Sequence, residues 1–394
     1  MFGCGHFRES PKAEPMGPPN TVDTNERPFV LIWEVTQACD LECEHCRADA
    51  QPERHPQELT TAEGKALLRE AARFDENQLV VLSGGDPLAR PDVPELIEYG
   101  TELGLRMTLT PSGTSSLDPA VIDDLDAAGL KRLAVSLDGS SPANHDTFRG
   151  EPGTFEQTVT AAKCAAEQGI PLQVNTTVSQ STVDDLPAIA DLVEDLGAVL
   201  WSVFFLVPIG RGRLLEPIPP ERAESVMEWL LDQAGERSFG VKTTEAPHYR
   251  RVAIESERSA AGSPGPDDAI GRSGGIRAGD GFAFVSHTGA VYPSGFLPLA
   301  AGSVRESSLV DVYRNSELFQ ALRDEDRFRG KCGACSYRNV CGGSRSRAYA
   351  YTGDPFESDP LCPYVPPDYE GDRPEQAVAY DRSGTTTEID GRLS

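Results

Sequence analysis

At 394 residues, 39% of them hydrophobic, the chain has room for one large domain, a smaller companion and a packed core. A formal charge of −26, from 62 acidic against 36 basic residues, argues against general binding to nucleic acid or to an anionic membrane surface. With no long apolar run and no export signal at its start, the chain is expected to be soluble and cytoplasmic, with no nucleic-acid or membrane partner. Only six of the basic residues are Lys, and such an acidic, Lys-poor surface suits a halophilic habitat.

Residues 1–27, rich in Pro, Gly and charge, are expected to be disordered. Six apolar runs of strand length follow, at 29–35, 79–85, 106–111, 132–139, 171–178 and 198–208, separated by five helix-sized gaps. Runs this continuously apolar indicate strands covered on both faces, hence right-handed parallel β/α winding. The expected fold class is therefore α/β, a partial (β/α)6 TIM-like barrel over 28–215. Thr60 with Glu63 reads as a capping box, and Asp118 and Asp185, each close to a Pro, read as helix starts. The alternation is expected to stop near residue 215, leaving 216–280 as a connecting helical and loop region. A smaller C-terminal Cys-rich iron-sulfur domain is expected over 281–366, with a hairpin turn at HTGA (287–290) and one helix across 308–326, before a disordered acidic tail at 367–394.

Of nine cysteines, Cys4 has no assigned role, and Cys164 reads as a small hydrophobe inside a helix. Cys39, Cys43 and Cys46, spaced C-x3-C-x2-C, come directly after the first strand. A structural zinc site there would need a fourth ligand such as His45, whereas an iron-sulfur cubane held by three thiolates keeps one iron open. Cys332, Cys335, Cys341 and Cys362 offer four thiols, a closed shell that both zinc and a four-iron cluster accept. Spacing does not separate these alternatives.

The three-cysteine loop after strand one, followed by Gly84-Gly85-Asp86-Pro87 after strand two, resembles the radical S-adenosylmethionine superfamily. The resemblance implies a catalytic [4Fe-4S] cluster on Cys39, Cys43 and Cys46, whose open iron takes S-adenosylmethionine and whose electron cleaves it to a 5'-deoxyadenosyl radical. It implies contacts to that cofactor from Gly84, Gly85, Asp86, Pro87, Ser136, Asp138, Arg149, Asn175 and Thr177. Ser136, Asp138, Arg149, Asn175 and Thr177, each taken alone, read more readily as cap or turn residues than as ligands; their value is that all fall at the same strand ends as the cysteines.

The later cysteines resemble a C-terminal auxiliary-cluster domain of the type called SPASM. Ser294 and Ser344 stand where fuller versions have Cys, so one auxiliary [4Fe-4S] cluster is expected, on Cys332, Cys335, Cys341 and Cys362, in an electron-transfer role. Over residues 28–366 the chain is similar to the haem synthases of the sirohaem-derived route, through HDTFRG, LVPIGRG, APHYRR and VCGGSRSRAYAYTG. That implies oxidative decarboxylation of tetrapyrrole propionates and a low-potential donor such as ferredoxin or flavodoxin. Arg211, Arg213, His248, Arg250 and Arg251 are candidate partners for the anionic substrate. Two other readings compete: a maturase acting on a peptide substrate, and a noncatalytic iron-sulfur carrier or redox sensor, which would have no use for an open iron.

Overall fold

The computed structural model describes residues 22–261 and 276–371. Most of the two expected terminal disordered segments, and Cys4, lie outside the described residues. One mixed sheet organises the chain. Its parallel strands are β1 (Val30–Thr36), β2 (Leu79–Gly84), β3 (Arg106–Leu109), β4 (Arg132–Ser136), β5 (Leu172–Val178), β6 (Leu200–Phe205) and β7 (Gly240–Thr244). All six sequence-derived strands are present within a few residues of their expected ends. The winding continues past residue 215 for one more unit, because Gly240–Thr244 adds itself in parallel to β6. That strand is short and carries Lys242, so its apolar signal is weak.

The sheet also grows from its other side. After β8 (Arg277–Ala278), strand β9 (Gly281–Val285) pairs in parallel with β1, and β10 (Ala290–Tyr292) and β11 (Gly302–Ser303) follow antiparallel. The HTGA turn lies between β9 and β10 as expected. The C-terminal hairpin is thus an extension of the barrel sheet.

Helices α1 (Thr61–Ala72), α2 (Val93–Glu102), α3 (Pro119–Ala127), α4 (Pro142–Arg149), α5 (Thr154–Glu167), α6 (Leu186–Asp195), α7 (Pro220–Glu236) and α8 (Tyr249–Ala261) connect the parallel strands or follow them. Thr60 and Glu63 form the capping box in both directions, and Asp118 caps α3 through Val121 N. Asp185 does not cap α6: its carboxylate accepts from Ser140 N at 2.7 Å and Ser140 Oγ at 2.6 Å, tying α6 to the loop after β4. Cys164 is buried in the core on α5.

The single helix expected over 308–326 is two, α9 (Leu309–Asn315) and α10 (Glu317–Arg323), because Ser316 leaves the helical conformation and caps the second through Phe319 N. Short α11 (Gly330–Gly333) and α12 (Arg345–Thr352) carry the final cysteine region. No helix among the described residues is long and apolar enough to cross a membrane.

Arg347 of α12 fastens this region to the barrel. Fully buried, it donates to Phe205 O at 3.0 Å and Leu206 O at 3.2 Å and pairs with buried Asp359 at 3.2 Å. Burial by itself would raise the Asp359 carboxyl, yet Arg347 and His248 beside it hold it below the ordinary carboxylate range. Arg347→Met leaves a buried carboxylate without its partner and should cost about 3–5 kcal/mol. Arg329→Ala, which breaks a solvent-facing pair with Asp354, should cost about 1 kcal/mol or less; denaturant melts of the two variants measure the contrast.

Candidate active site and second cysteine centre

The first cysteine group sits on a loop whose base is closed by backbone bonds from Cys39 N to Gln51 O (2.8 Å) and from Gln51 N to Gln37 O (3.1 Å). Its far side is gripped by the turn after β6, where Arg211 N donates to Cys46 O and Arg211 Nε to Cys43 O, both at 2.9 Å. Below it lies the Gly84-Gly85 turn. A Cβ on Gly85 would come within 2.4 Å of Ala38 O, and Asp86 N donates to that carbonyl at 2.6 Å. Only a residue without a side chain lets the two loops touch.

Cys39, Cys43 and Cys46 face one cavity of about 200 Å3 at the carboxyl ends of the strands, together with Gly84, Gly85, Ser136, Arg149, Asn175 and Thr177. Phe204, Leu206, Val207 and Phe296 give it an apolar wall. Three expected contact residues are not among those that line the cavity. Asp86 is buried and accepts from Thr114 Oγ1 (2.8 Å), Ser116 Oγ (2.9 Å) and Leu88 N (3.1 Å), so it shapes the loop after β3, and Pro87 begins the adjoining 3-10 turn. Asp138 accepts from Thr177 N at 2.7 Å and pairs with Arg149 at 3.3 Å. The carboxylate expected to meet a ligand therefore orients the arginine that lines the cavity.

Sequence reasoning passed over Ser112, whose Oγ donates to Gly85 O at 2.6 Å and lies 3.4 Å from Cys39 Sγ. It also passed over Glu34 and Arg47. Burial would raise the Glu34 carboxyl, but Arg47, 3.0 Å away, and His287 hold it low. An ionic residue inside an otherwise apolar strand was the available signal. Burial pushes His45 down to about 4, and the neutral ring stacks on Phe148.

The second group is equally convergent. Cys332, Cys335, Cys341 and Cys362 line one small cavity with Arg251, Lys331 and Tyr364. Backbone amides point at three of the sulfurs: Asp359 N to Cys332, Tyr337 N to Cys335 and Gly343 N to Cys341, each at 3.4 Å. Arg345 Nη2 adds a further donor to Cys332 at 3.6 Å. In the first group Leu41 N (3.4 Å) and Ala50 N (3.5 Å) do the same for Cys39 and Cys46. Such N–H···S bonds favour sulfur that carries negative charge.

Burial pushes the thiols of Cys39, Cys43, Cys335 and Cys341 up, and that of Cys362 to about 12, so they keep their protons until a metal displaces them. Soft sulfur donors without competing oxygen ligands fit an iron-sulfur group at both places. No three of His, Cys, Asp and Glu among the described residues converge closely enough to hold a single metal ion.

The five candidate substrate residues do not line the first cavity. Arg211 holds the cysteine loop, and Arg213 is exposed. His248 is fully buried, 4.0 Å from Asp359, where burial pushes it down to about 3. Arg251 pairs with Glu224 and Glu255 and covers the Tyr364 ring beside the second group. Arg250 is half-buried, in the field of Cys341, Arg277 and Asp280. Ser294 Oγ (3.0 Å), Ser344 Oγ (2.5 Å) and Ser346 Oγ (3.0 Å) all donate to the carboxylate of Glu245, which has a left-handed φ of 55°.

The packing of Gly85 is open to test. Gly85→Ala should lower the melting temperature and weaken iron retention after anaerobic reconstitution, because loop must part from loop. Gly235→Ala, where a Cβ in α7 meets nothing within 4 Å, should be neutral or slightly stabilising.

The family model described as "Radical SAM superfamily" matches residues 33–193. The AdoMet-dependent heme synthase of Methanosarcina barkeri (strain Fusaro / DSM 804) is 41% identical over 345 residues, 86% of this chain and 97% of that protein. The AdoMet-dependent heme synthase of Nitratidesulfovibrio vulgaris is 40% identical over 356 residues, 89% of this chain and 96% of that protein. Among solved structures, Streptococcus suis SuiB bound to S-adenosylmethionine superposes with a TM-score of 0.69 at 16% identity, covering 86% of this chain and 78% of that one, a likeness of fold. A chain that spans nearly all of such relatives at 40–41% identity shares their descent, and it belongs to the radical SAM superfamily of enzymes.

Proposed function

We propose that this radical SAM enzyme acts in haem biosynthesis, oxidatively decarboxylating propionates of an iron porphyrin to vinyl groups. The observation that carries the reading is the convergence of Cys39, Cys43 and Cys46 with Gly84, Gly85, Ser136, Arg149, Asn175 and Thr177 on one strand-end cavity; identity of 40–41% over nearly the full length of two proteins named heme synthases supports the choice of substrate.

In this reading the first three cysteines hold the cluster to which S-adenosylmethionine binds. When bound, that pair supplies the means to remove hydrogen from an unactivated carbon. The chain's residues do the rest. Arg211 fixes the cysteine loop through Cys43 O and Cys46 O, Gly84 and Gly85 keep the floor flush, and Arg149, oriented by Asp138, presents a cation to a carboxylate. Phe204, Leu206, Val207 and Phe296 exclude water from the reacting carbon.

Loss of one hydrogen atom and carbon dioxide from a propionate leaves a vinyl group and one surplus electron. Cys332, Cys335, Cys341 and Cys362 would hold a fully ligated auxiliary cluster, which would supply an electron acceptor there. The hydroxyls of Ser294 and Ser344, both engaged by Glu245, support one auxiliary cluster rather than two. A low-potential protein such as ferredoxin or flavodoxin would supply the starting electron.

Reconstituted anaerobically with dithionite and S-adenosylmethionine, the enzyme should form 5'-deoxyadenosine and convert iron-coproporphyrin III to haem, followed by mass. No deoxyadenosine from an intact cluster would overturn the assignment of the first cysteines; deoxyadenosine without haem would overturn the substrate. Cys43→Ala should abolish deoxyadenosine formation, while Cys335→Ala should keep part of it. Iron and sulfide should each approach about eight per chain, and about twelve would restore a second auxiliary cluster.

A further inference from the structure

Strand register places Ser136, Asn175, Ser202 and Lys242 side by side on β4, β5, β6 and β7. Parallel partners point to the same side of a sheet. Ser136 and Asn175 line the strand-end cavity, whereas Trp201, next to Ser202, packs on Trp229 and Phe239 among the helices. On β7, Val241 packs against the core. The Lys242 side chain therefore belongs to the lumen row.

Its surroundings are unusual for an acidic chain. The charges bearing on Lys242 are Arg132 and Arg250, both cations, and burial among them brings its ammonium down to about 8. No ion pair or side-chain hydrogen bond joins Lys242 to another described residue. Arg132 reaches only a neutral group, Gln173 Oε1 at 3.4 Å, and its Nε is buried without a partner. Gln173 in turn donates to Asn175 on the cavity wall. By contrast Arg47, Arg90, Arg149, Arg251 and Arg347 each have a carboxylate. In a chain with 62 acidic residues, Lys242 has two cations bearing on it and no carboxylate, while Arg250 lies in the field of Cys341, Arg277 and Asp280, so the half-buried ammonium is left for an anion from outside to answer.

We propose that Lys242, flanked by Arg132 and Arg250, is a carboxylate-binding subsite on the lumen side of β7, which takes a carboxylate of the substrate beside the strand-end cavity. The inference rests on the reading that the substrate is a porphyrin bearing propionates, and it names the residues that hold one of them.

The test is equilibrium binding of iron-coproporphyrin III and of its tetramethyl ester to the reconstituted holoenzyme and to its Lys242→Met and Lys242→Arg variants. The wild type should prefer the acid to the ester by roughly tenfold or more, Lys242→Met should lose most of that preference, and Lys242→Arg should keep it. Lys242→Met should also melt no lower than the wild type, since removing one of three clustered cations relieves repulsion; a merely structural lysine would cost stability. Acid binding by Lys242→Met equal to that of the wild type would overturn the subsite while leaving the porphyrin reading intact. A wild type that binds neither porphyrin would overturn the reading and the subsite with it.

Discussion

The buried pair of Arg347 and Asp359 is the constraint on which the arrangement of both cysteine groups depends. Arg347 reaches back to Phe205 O and Leu206 O, at the end of the strand that walls the first cavity, while the Asp359 amide points at Cys332 Sγ and its carboxylate accepts from Ser344 N. Neither charge is tolerable alone in an interior of low polarity. The C-terminal region therefore meets the barrel in one register, and the two sulfur-lined cavities keep one relation to each other.

The same logic runs through the first cavity. Most interior arginines are paired with carboxylates and act on loops: Arg90 bridges Val35 O and Leu59 O while held by Asp92, and Arg149 leans on Asp138 at the cavity wall. Carboxylates satisfy most of the internal cations, while Arg345 is held by the carbonyls of Gly343, Pro355 and Glu357. The row around Lys242 differs because it is not so satisfied, and that contrast, more than any single distance, gives it meaning.

Glu245 shows how a site of this kind is closed. Its left-handed backbone is a conformation few non-glycine residues adopt without strain, and three serine hydroxyls compensate by converging on its carboxylate. Hydroxyls that converge on one carboxylate in this way form an internal hydrogen-bond network of hard oxygen atoms. Ser294 and Ser344, which the sequence suggested stand in place of Cys, are thus joined by a residue that the sequence did not connect to them.

The sequence by itself determined the strands Val30 to Phe205, the capping box at Thr60 and the grouping of the seven cysteines into three and four, because apolar period, cap chemistry and local spacing are written in neighbouring residues. It also marked Gly84 and Gly85, whose lack of a side chain is visible in one dimension. Only the tertiary structure decided what polar side chains do at a distance. It gave Asp86 and Asp138 their partners within the chain, set His248 and Arg251 at the second group, and brought Lys242 into line with Asn175. Long-range pairing carries no signature in the residues around it: Ser294, Ser344 and Glu245 lie far apart in the chain, and only the folded sheet and the packing of α12 against it make them neighbours.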